Sequence, residues 1–488
     1  MEPSMRLSAF LAAAIAALAP AIACAGEAPI TFSKLWIHKH ATPGQLSEIP
    51  AYDTRTHTIW VAGVVGVDVL DADTGVLVAH IPVTDCGPAG TDPCGNVNSV
   101  AVRNGLAAFA IESFDRTSPG LVTFHDTRRR VRTGYVTVGA LPDMLAFSHD
   151  GTKLLVANEG TPAVYGARVG TSEPWVFDSG IDDPPGTVSI IDVETRTVLA
   201  TPGFVGVPTF GSFLRTTTGM DFEPEYIAID QDGTRAFVTL EEANAVAVLD
   251  LSTYAFTAVV GLGTKDFSLP GNQIDPVDND GKVEFISPNA KGLYMPDGIA
   301  AYKWRGATYL VMANEGDFRE DDGDRVPAST FGASALLTRL RVSATDSSSG
   351  DLYAAGARSF SIRDELGNLV YDSGDILDKE ADRRGIYNDS RSRDKGVEPE
   401  GVALHDIGGR TYAFVGLERT KTSAVAVFDI TDPYDVGFVD MIVGDGDVSP
   451  EGIAAFQHRG DDYLVVAHEV SNTTTMYRID RVRRPANR

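Results

Sequence analysis

Cysteine is scarce in this chain of 488 residues, which carries three, at positions 24, 86 and 94. Cys86 and Cys94 have no histidine or further cysteine beside them, which speaks against a thiolate metal site. Long apolar runs are missing as well. After the N-terminus none approaches the roughly 20 residues that span a bilayer, so no transmembrane segment is expected. No stretch keeps a 3.6-residue apolar period for the 10 or so residues a helix needs, which excludes a helical solenoid. Basic residues are in deficit, 41 against 67 acidic, for a formal charge of -26. Such a surface repels nucleic acid and anionic membrane at long range and makes divalent cations the natural partners. A plainer account of the acidity, solubility of an exported protein, stands beside that one. The nine histidines are scattered, and no Ser-His-Asp order can be argued from them.

What is abundant is glycine, 48 residues, with 26 prolines and many short valine-rich runs. The first 25 residues read as an export signal, with Arg6, an apolar stretch from Leu7 to Ala19, and the small residues Ala23-Cys24-Ala25 before a cleavage point. A loose lipobox ending on Cys24 is the alternative, giving a lipoprotein. Either way the protein is expected outside the cytoplasm, periplasmic or secreted. In that oxidising setting Cys86 and Cys94, in the loop DCGPAGTDPCG, read as one disulfide worth about 2 kcal/mol.

The strongest feature is a repeat. A proline-containing acidic turn leads into a short apolar strand at LPDMLAF (141–147), EPEYIAI (223–229), MPDGIAA (295–301), EPEGVAL (398–404) and SPEGIAA (449–455). A tight hairpin follows, then a second apolar strand ending in Glu159, Glu241, Glu315, Glu418 or Glu469, a third closing on Asp, and a fourth after another turn. Two weaker copies lie nearer the N-terminus, one of them ending its second strand at Glu112. Seven units of four short strands predict an all-β, seven-bladed β-propeller with antiparallel blades over 26–480. The last unit has three strands before the basic tail 481–488, and KLWIHKH (34–40) is the spare strand expected to complete it and close the ring.

Strand direction alternates within a blade, so the start of strand one and the end of strand two share a face. The long segments 160–186, 201–222, 264–294, 317–335 and 371–397 all fall on that face, which marks it as the working one. Asp143, Glu225, Asp297, Glu400 and Glu451 stand at the starts of first strands, and the six glutamates above stand at the ends of second strands. Together they predict two rough circles of acids around one mouth. Crowded carboxylates oppose one another's ionisation, and bound Ca²⁺ would relieve them. The competing account has each acid accepting hydrogen bonds from turn amides. A further calcium candidate is the loop GNQIDPVDNDGKVEF, with Asp275, Asp278, Asp280 and Glu284. The run after Glu315 adds Asp317.

The stretches DPVDNDG, YMPDGIAAYKWRGATYLVMANEGDFRED, GARSFSIRDELGNLVYDSGD and DSRSRDKGVEPEGVALHDIGGRTYAFVGLER resemble the choice-of-anchor I domain family, β-propellers of the mesenchyme-specific cell-surface glycoprotein type. The resemblance covers almost the whole mature chain and is distantly shared with propeller-type alkaline phosphatases. It implies an exported, calcium-associated protein that binds an anionic small molecule, mineral or cell-surface ligand. The alternative it leaves open is a metal-dependent phosphoric ester hydrolase, with a second, transition metal beside calcium. In that case Glu400 and Glu451 would serve the metals, and Arg319, Lys395 and Arg419 would hold phosphate oxygens.

Overall fold

In the computed structural model, residues 29–84, 94–162, 182–216, 222–318 and 324–482 are described, with the backbone of Arg168–Val169 and Val176–Phe177. The chain is built from antiparallel sheets. Those of residues 50–82, 94–140, 142–200, 299–372 and 399–443 have four strands each, and that of 209–262 has five. The last sheet, 450–481, is completed by Ile30–Lys39, which pairs antiparallel with Thr473–Arg481. The spare strand inferred from KLWIHKH therefore sits where the repeat left a gap.

The second strand of each sheet explains the valine-rich runs. Thr58–Gly63 is buried at every position, and Lys153–Asn158 and Arg235–Leu240 are buried at all but the first. A strand covered on both faces reads as continuous apolar sequence rather than alternation. Fourth strands such as Leu77–Pro82 and Thr197–Ala200 are largely exposed. Apolar clusters fill the gaps between consecutive sheets, from the first pair (Trp60, Val69 with Val97, Phe109) through to the sixth and seventh (Phe414, Val427 with Leu464, Val466). One more cluster joins the last sheet to the first, through Val465, Ala467 and Met476 against Ile59 and Leu70.

The insertions carry structure that the repeat does not announce. Thr209–Ser212 lies parallel to Ala255–Leu262 and supplies the fifth strand of its sheet. The insertion of the fifth sheet runs on to 358, well past the expected 335, because Arg341–Ser343 pairs with Arg325–Pro327 in a separate hairpin and the third strand is Ser359–Asp364. Lys291–Leu293 and Tyr353–Ala354, from two different insertions, pair in parallel. The segment before the sixth sheet contains the helix Ile376–Arg383. Phe267, Leu340, Val342 and Leu352 give these insertions an apolar cluster of their own. Residues 1–28, Cys86 and 483–488 lie outside the described residues, and with them the expected signal segment, Cys24, one partner of the expected disulfide and most of the basic tail.

Candidate functional site

The proline turns are what aim the acids. In four first strands the register slips by one residue directly after the proline, between Pro142 and Leu145, Pro224 and Ile227, Pro399 and Val402, and Pro450 and Ile453. Each slip is a bulge that contains the acid (Asp143, Glu225, Glu400 or Glu451), and a bulge re-aims a side chain. The residue before the proline is left-handed in four turns, with φ of 46° at Leu141, 43° at Met295, 52° at Glu398 and 62° at Ser449. Such conformations cost of order 1–3 kcal/mol each and persist only where the surroundings hold them. Here the carbonyls of Leu141, Glu398 and Ser449 accept hydrogen bonds from the amides of Glu159, Glu418 and Glu469, and that of Met295 from Gly316. Each of these bonds ties the start of a first strand to the end of its second strand, so acids 16 to 18 positions apart in sequence are locked side by side.

Glycine then sets the spacing between sheets. A Cβ on Gly298 would meet the carbonyl oxygen of Glu400 at 2.5 Å, one on Gly401 that of Glu451 at 2.5 Å, and one on Gly452 that of Glu48 at 2.5 Å. Only glycine permits this approach, and the chain of contacts runs from Asp297 through Glu400 and Glu451 to Glu48.

The result is a dense carboxylate cluster. Asp297, Glu315 and Glu400 present oxygens all within 4.8 Å of one another, as do Glu400, Glu418 and Glu451, and Glu315, Glu398 and Glu418. The last trio is compensated by cations. Lys395 Nζ lies 2.7 Å from Glu315 and 3.3 Å from Glu398, Arg391 Nε lies 2.6 Å from Glu398, and Arg419 Nη2 lies 2.7 Å from Glu418. Among the described residues no lysine or arginine forms an ion pair with Asp297, Glu400 or Glu451. Burial, with neighbouring carboxylates, pushes Glu451 up to about 7 and Glu400 and Asp297 well above the usual carboxylate range. Burial also raises Glu315 and Glu418 to about 7, despite the opposing pull of Lys395 and Arg419. The same cause carries Asp143 to about 7, Glu159 and Glu48 to about 8, and Glu225 and Glu241 well upward. Glu400, when protonated, donates to Glu418 and Glu451 and so partly offsets their rise. An oxygen-only donor set of this kind holds either shared protons or a hard cation such as Ca²⁺, which takes 6–8 oxygens.

The remaining sequence-predicted residues divide. Glu241 accepts from the Gly316 amide at 3.0 Å and Glu112 from the Asn96 amide at 3.1 Å, the turn-amide role that competed with metal binding. Asp317 lies 3.6 Å from Lys395, and Glu469 is half-buried beside the Ser449 turn. The loop acids are not gathered together. Asp275 accepts from Ser392 at 3.0 Å, Asp278 faces Arg339 at 2.7 Å and Arg393 at 3.5 Å, Asp280 caps the Lys282 amide, and Glu284 is exposed. The cations of Lys395 and Arg419 are engaged by carboxylates, and Arg319 lies outside the described residues. Glu48, Glu398 and Tyr226 belong to the cluster and were not singled out by sequence. Burial, then the charges of Asp297, Asp143, Glu451 and Glu400, raises the Tyr226 hydroxyl well above its usual range, which places it amid the acids of several sheets. A cavity of about 550 Å³ adjoins the cluster, lined by Glu112, Asp143, Glu159, Asn98, Arg116 and Phe114 among others.

Residues 48–433 match the family model for the choice-of-anchor I domain. This chain belongs to the choice-of-anchor I family. Over 130 residues this family member is 28% identical to the mesenchyme-specific cell surface glycoprotein of Strongylocentrotus purpuratus, a match covering 23% of the chain and 16% of that protein. Over 116 residues it is 33% identical to Gigasin-3a of Magallana gigas, covering 20% of the chain and 41% of that protein. The chain thus spans less than half the length of either relative. Hydrazine synthase from Kuenenia stuttgartiensis shares the fold, with a TM-score of 0.51 at 12% identity, over 91% of this chain and 97% of that one.

Proposed function

We propose that this choice-of-anchor I chain is an exported, closed seven-bladed β-propeller whose acidic mouth holds Ca²⁺. Through that ion it takes an anionic small molecule, a mineral surface or a cell-surface partner. The observation that carries the reading is the pair of trios sharing Glu400, which bring five carboxylates together while leaving Asp297, Glu400 and Glu451 without an ion-paired cation among the described residues. Isolated buried charges are costly, and a divalent ion is the compensation such a donor set fits. The ring is supported by the apolar cluster joining the last sheet to the first and by the strand that Ile30–Lys39 adds to the last sheet. Export is supported by the N-terminal sequence and by a relative named as a cell surface glycoprotein. Of the three cations that hydrolysis would place on a phosphate, Lys395 and Arg419 already neutralise Glu315, Glu398 and Glu418, and Arg319 lies outside the described residues, so the binding reading is favoured.

Elemental analysis after exhaustive dialysis tests the reading. The chain is expected to retain calcium, and Glu400→Gln with Glu451→Gln is expected to lose it. A calcium-free protein, or metal-dependent phosphatase turnover abolished by the same double variant, would overturn it.

A further inference from the structure

A second cluster of titratable groups lies away from the acidic mouth, where the N-terminal strand meets the first sheet. His38 and His40 stand two apart at the end of Ile30–Lys39, so both project from one face of the strand. Asp68 lies in Gly66–Asp71, and its register partner across the sheet is His80 of Leu77–Pro82. One Asp68 carboxylate takes both imidazoles, His40 Nδ1 at 2.6 Å on Oδ2 and His80 Nδ1 at 2.7 Å on Oδ1. The rings of His38 and His40 meet edge to face with centroids 4.8 Å apart. His38, His40 and Asp68 each present a ligand atom within 4.8 Å of the others. Three of the chain's nine histidines are therefore gathered on a carboxylate that interrupts an otherwise apolar buried strand.

From this arrangement we propose a transition-metal site, distinct from the calcium mouth, in which His38, His40 and Asp68 bind one ion of the Zn²⁺ class while His80 holds the other oxygen of Asp68. Two imidazole nitrogens and one carboxylate oxygen, with water in the fourth position, make a set that suits Zn²⁺, Co²⁺, Ni²⁺ or Cu²⁺ and not an oxygen-seeking cation. His40 is oriented for this role. Its Nε2 lies 2.8 Å from Thr474 Oγ1, which is held in turn by Ser47 at 2.9 Å, and this turns Nδ1 towards Asp68. Asp68 and His40 are 1% and 3% exposed, whereas His38 and His80 are half-buried, so an ion has a path from solvent. The ligands come from the last sheet and the first, and a bound ion therefore clamps the strand that completes the last sheet.

The test is titration of the metal-stripped full chain with Co²⁺, read by visible absorption, and with Zn²⁺, read by thermal unfolding. One equivalent of Co²⁺ is expected to give the intense spectrum of tetrahedral nitrogen and oxygen ligation, and Zn²⁺ is expected to raise Tm. His80→Ala and His38→Ala alter half-buried side chains and leave the core intact. His38→Ala should weaken Co²⁺ by more than about 100-fold, and His80→Ala by the roughly 10–100-fold that loss of an orienting neighbour causes, while Ca²⁺ binding is unchanged. A weak octahedral spectrum, or saturation that survives in the His38→Ala, His80→Ala double variant, would overturn the proposal.

Discussion

Glu400 belongs to both trios that contain acids without an ion-paired cation among the described residues, so replacing it separates repulsion from cation binding. At alkaline pH, where Glu400 ionises, Glu400→Gln is expected to raise the Tm of the calcium-free protein, because a like charge is removed, and to shrink the further rise on adding Ca²⁺. Paired thermal scans in chelator and in calcium check both signs. The carboxylate cluster also sets a pH dependence. Glu48 and Glu159 rise from 4.5 to about 8, and Glu451 to about 7, so between about 4.5 and about 8 the calcium-free folded chain binds more protons than the unfolded one. Stability then falls as pH rises through that window, and circular dichroism in chelator should give a higher Tm near pH 5 than near pH 8. Lys395 is 5% exposed between Glu315 and Glu398, and Lys395→Met leaves both without it. A loss of about 3 kcal/mol in denaturant unfolding near pH 8 is expected, smaller near pH 5, where the raised carboxyls are protonated. Most of these acids were legible in the sequence because a proline or a strand end marks them. Glu398 and Tyr226 were not, since one looks like an ordinary turn residue and the other like a strand aromatic. Their roles depend on groups that only the assembled sheets bring near.

The element that builds the site is the proline, acid, glycine turn. Its bulge aims the carboxylate, its left-handed first residue is pinned by the amide at the end of the next strand, and its glycine lets the following sheet approach. Gly401→Ala would put a methyl 2.5 Å from the Glu451 carbonyl oxygen and push two sheets apart. A destabilisation of about 1–3 kcal/mol is expected, with weaker Ca²⁺ binding, whereas Gly409→Ala, where no atom stands within 4 Å, should not touch calcium affinity. The turns and hairpins were readable because their chemistry is local. The insertions were not, because the parallel pairing of Lys291–Leu293 with Tyr353–Ala354 leaves no periodic trace in either segment. The acidic loop at 275–284 illustrates the same limit. Its spacing suggested a calcium loop, yet Arg339, Arg393 and Ser392 from distant segments engage Asp278 and Asp275 as internal struts.

At the scale of the whole molecule, short-range repeats gather acids from positions 48 to 469 at one place, and no single repeat could do so. The placement of the N-terminal strand followed from a missing fourth strand in the last unit. Which acids meet cations of the protein depended on Arg391, Lys395 and Arg419. Those residues reach the cluster from the insertion before the sixth sheet and from the end of that sheet's second strand. The account centres on a cation displacing protons from that shared cluster. Calorimetric titration of Ca²⁺ into the metal-stripped chain near neutral pH, repeated in buffers of different ionisation enthalpy, measures binding and proton release together. Saturable binding with net release of at least one proton per chain is expected. No saturable binding, or binding without proton release, would contradict it.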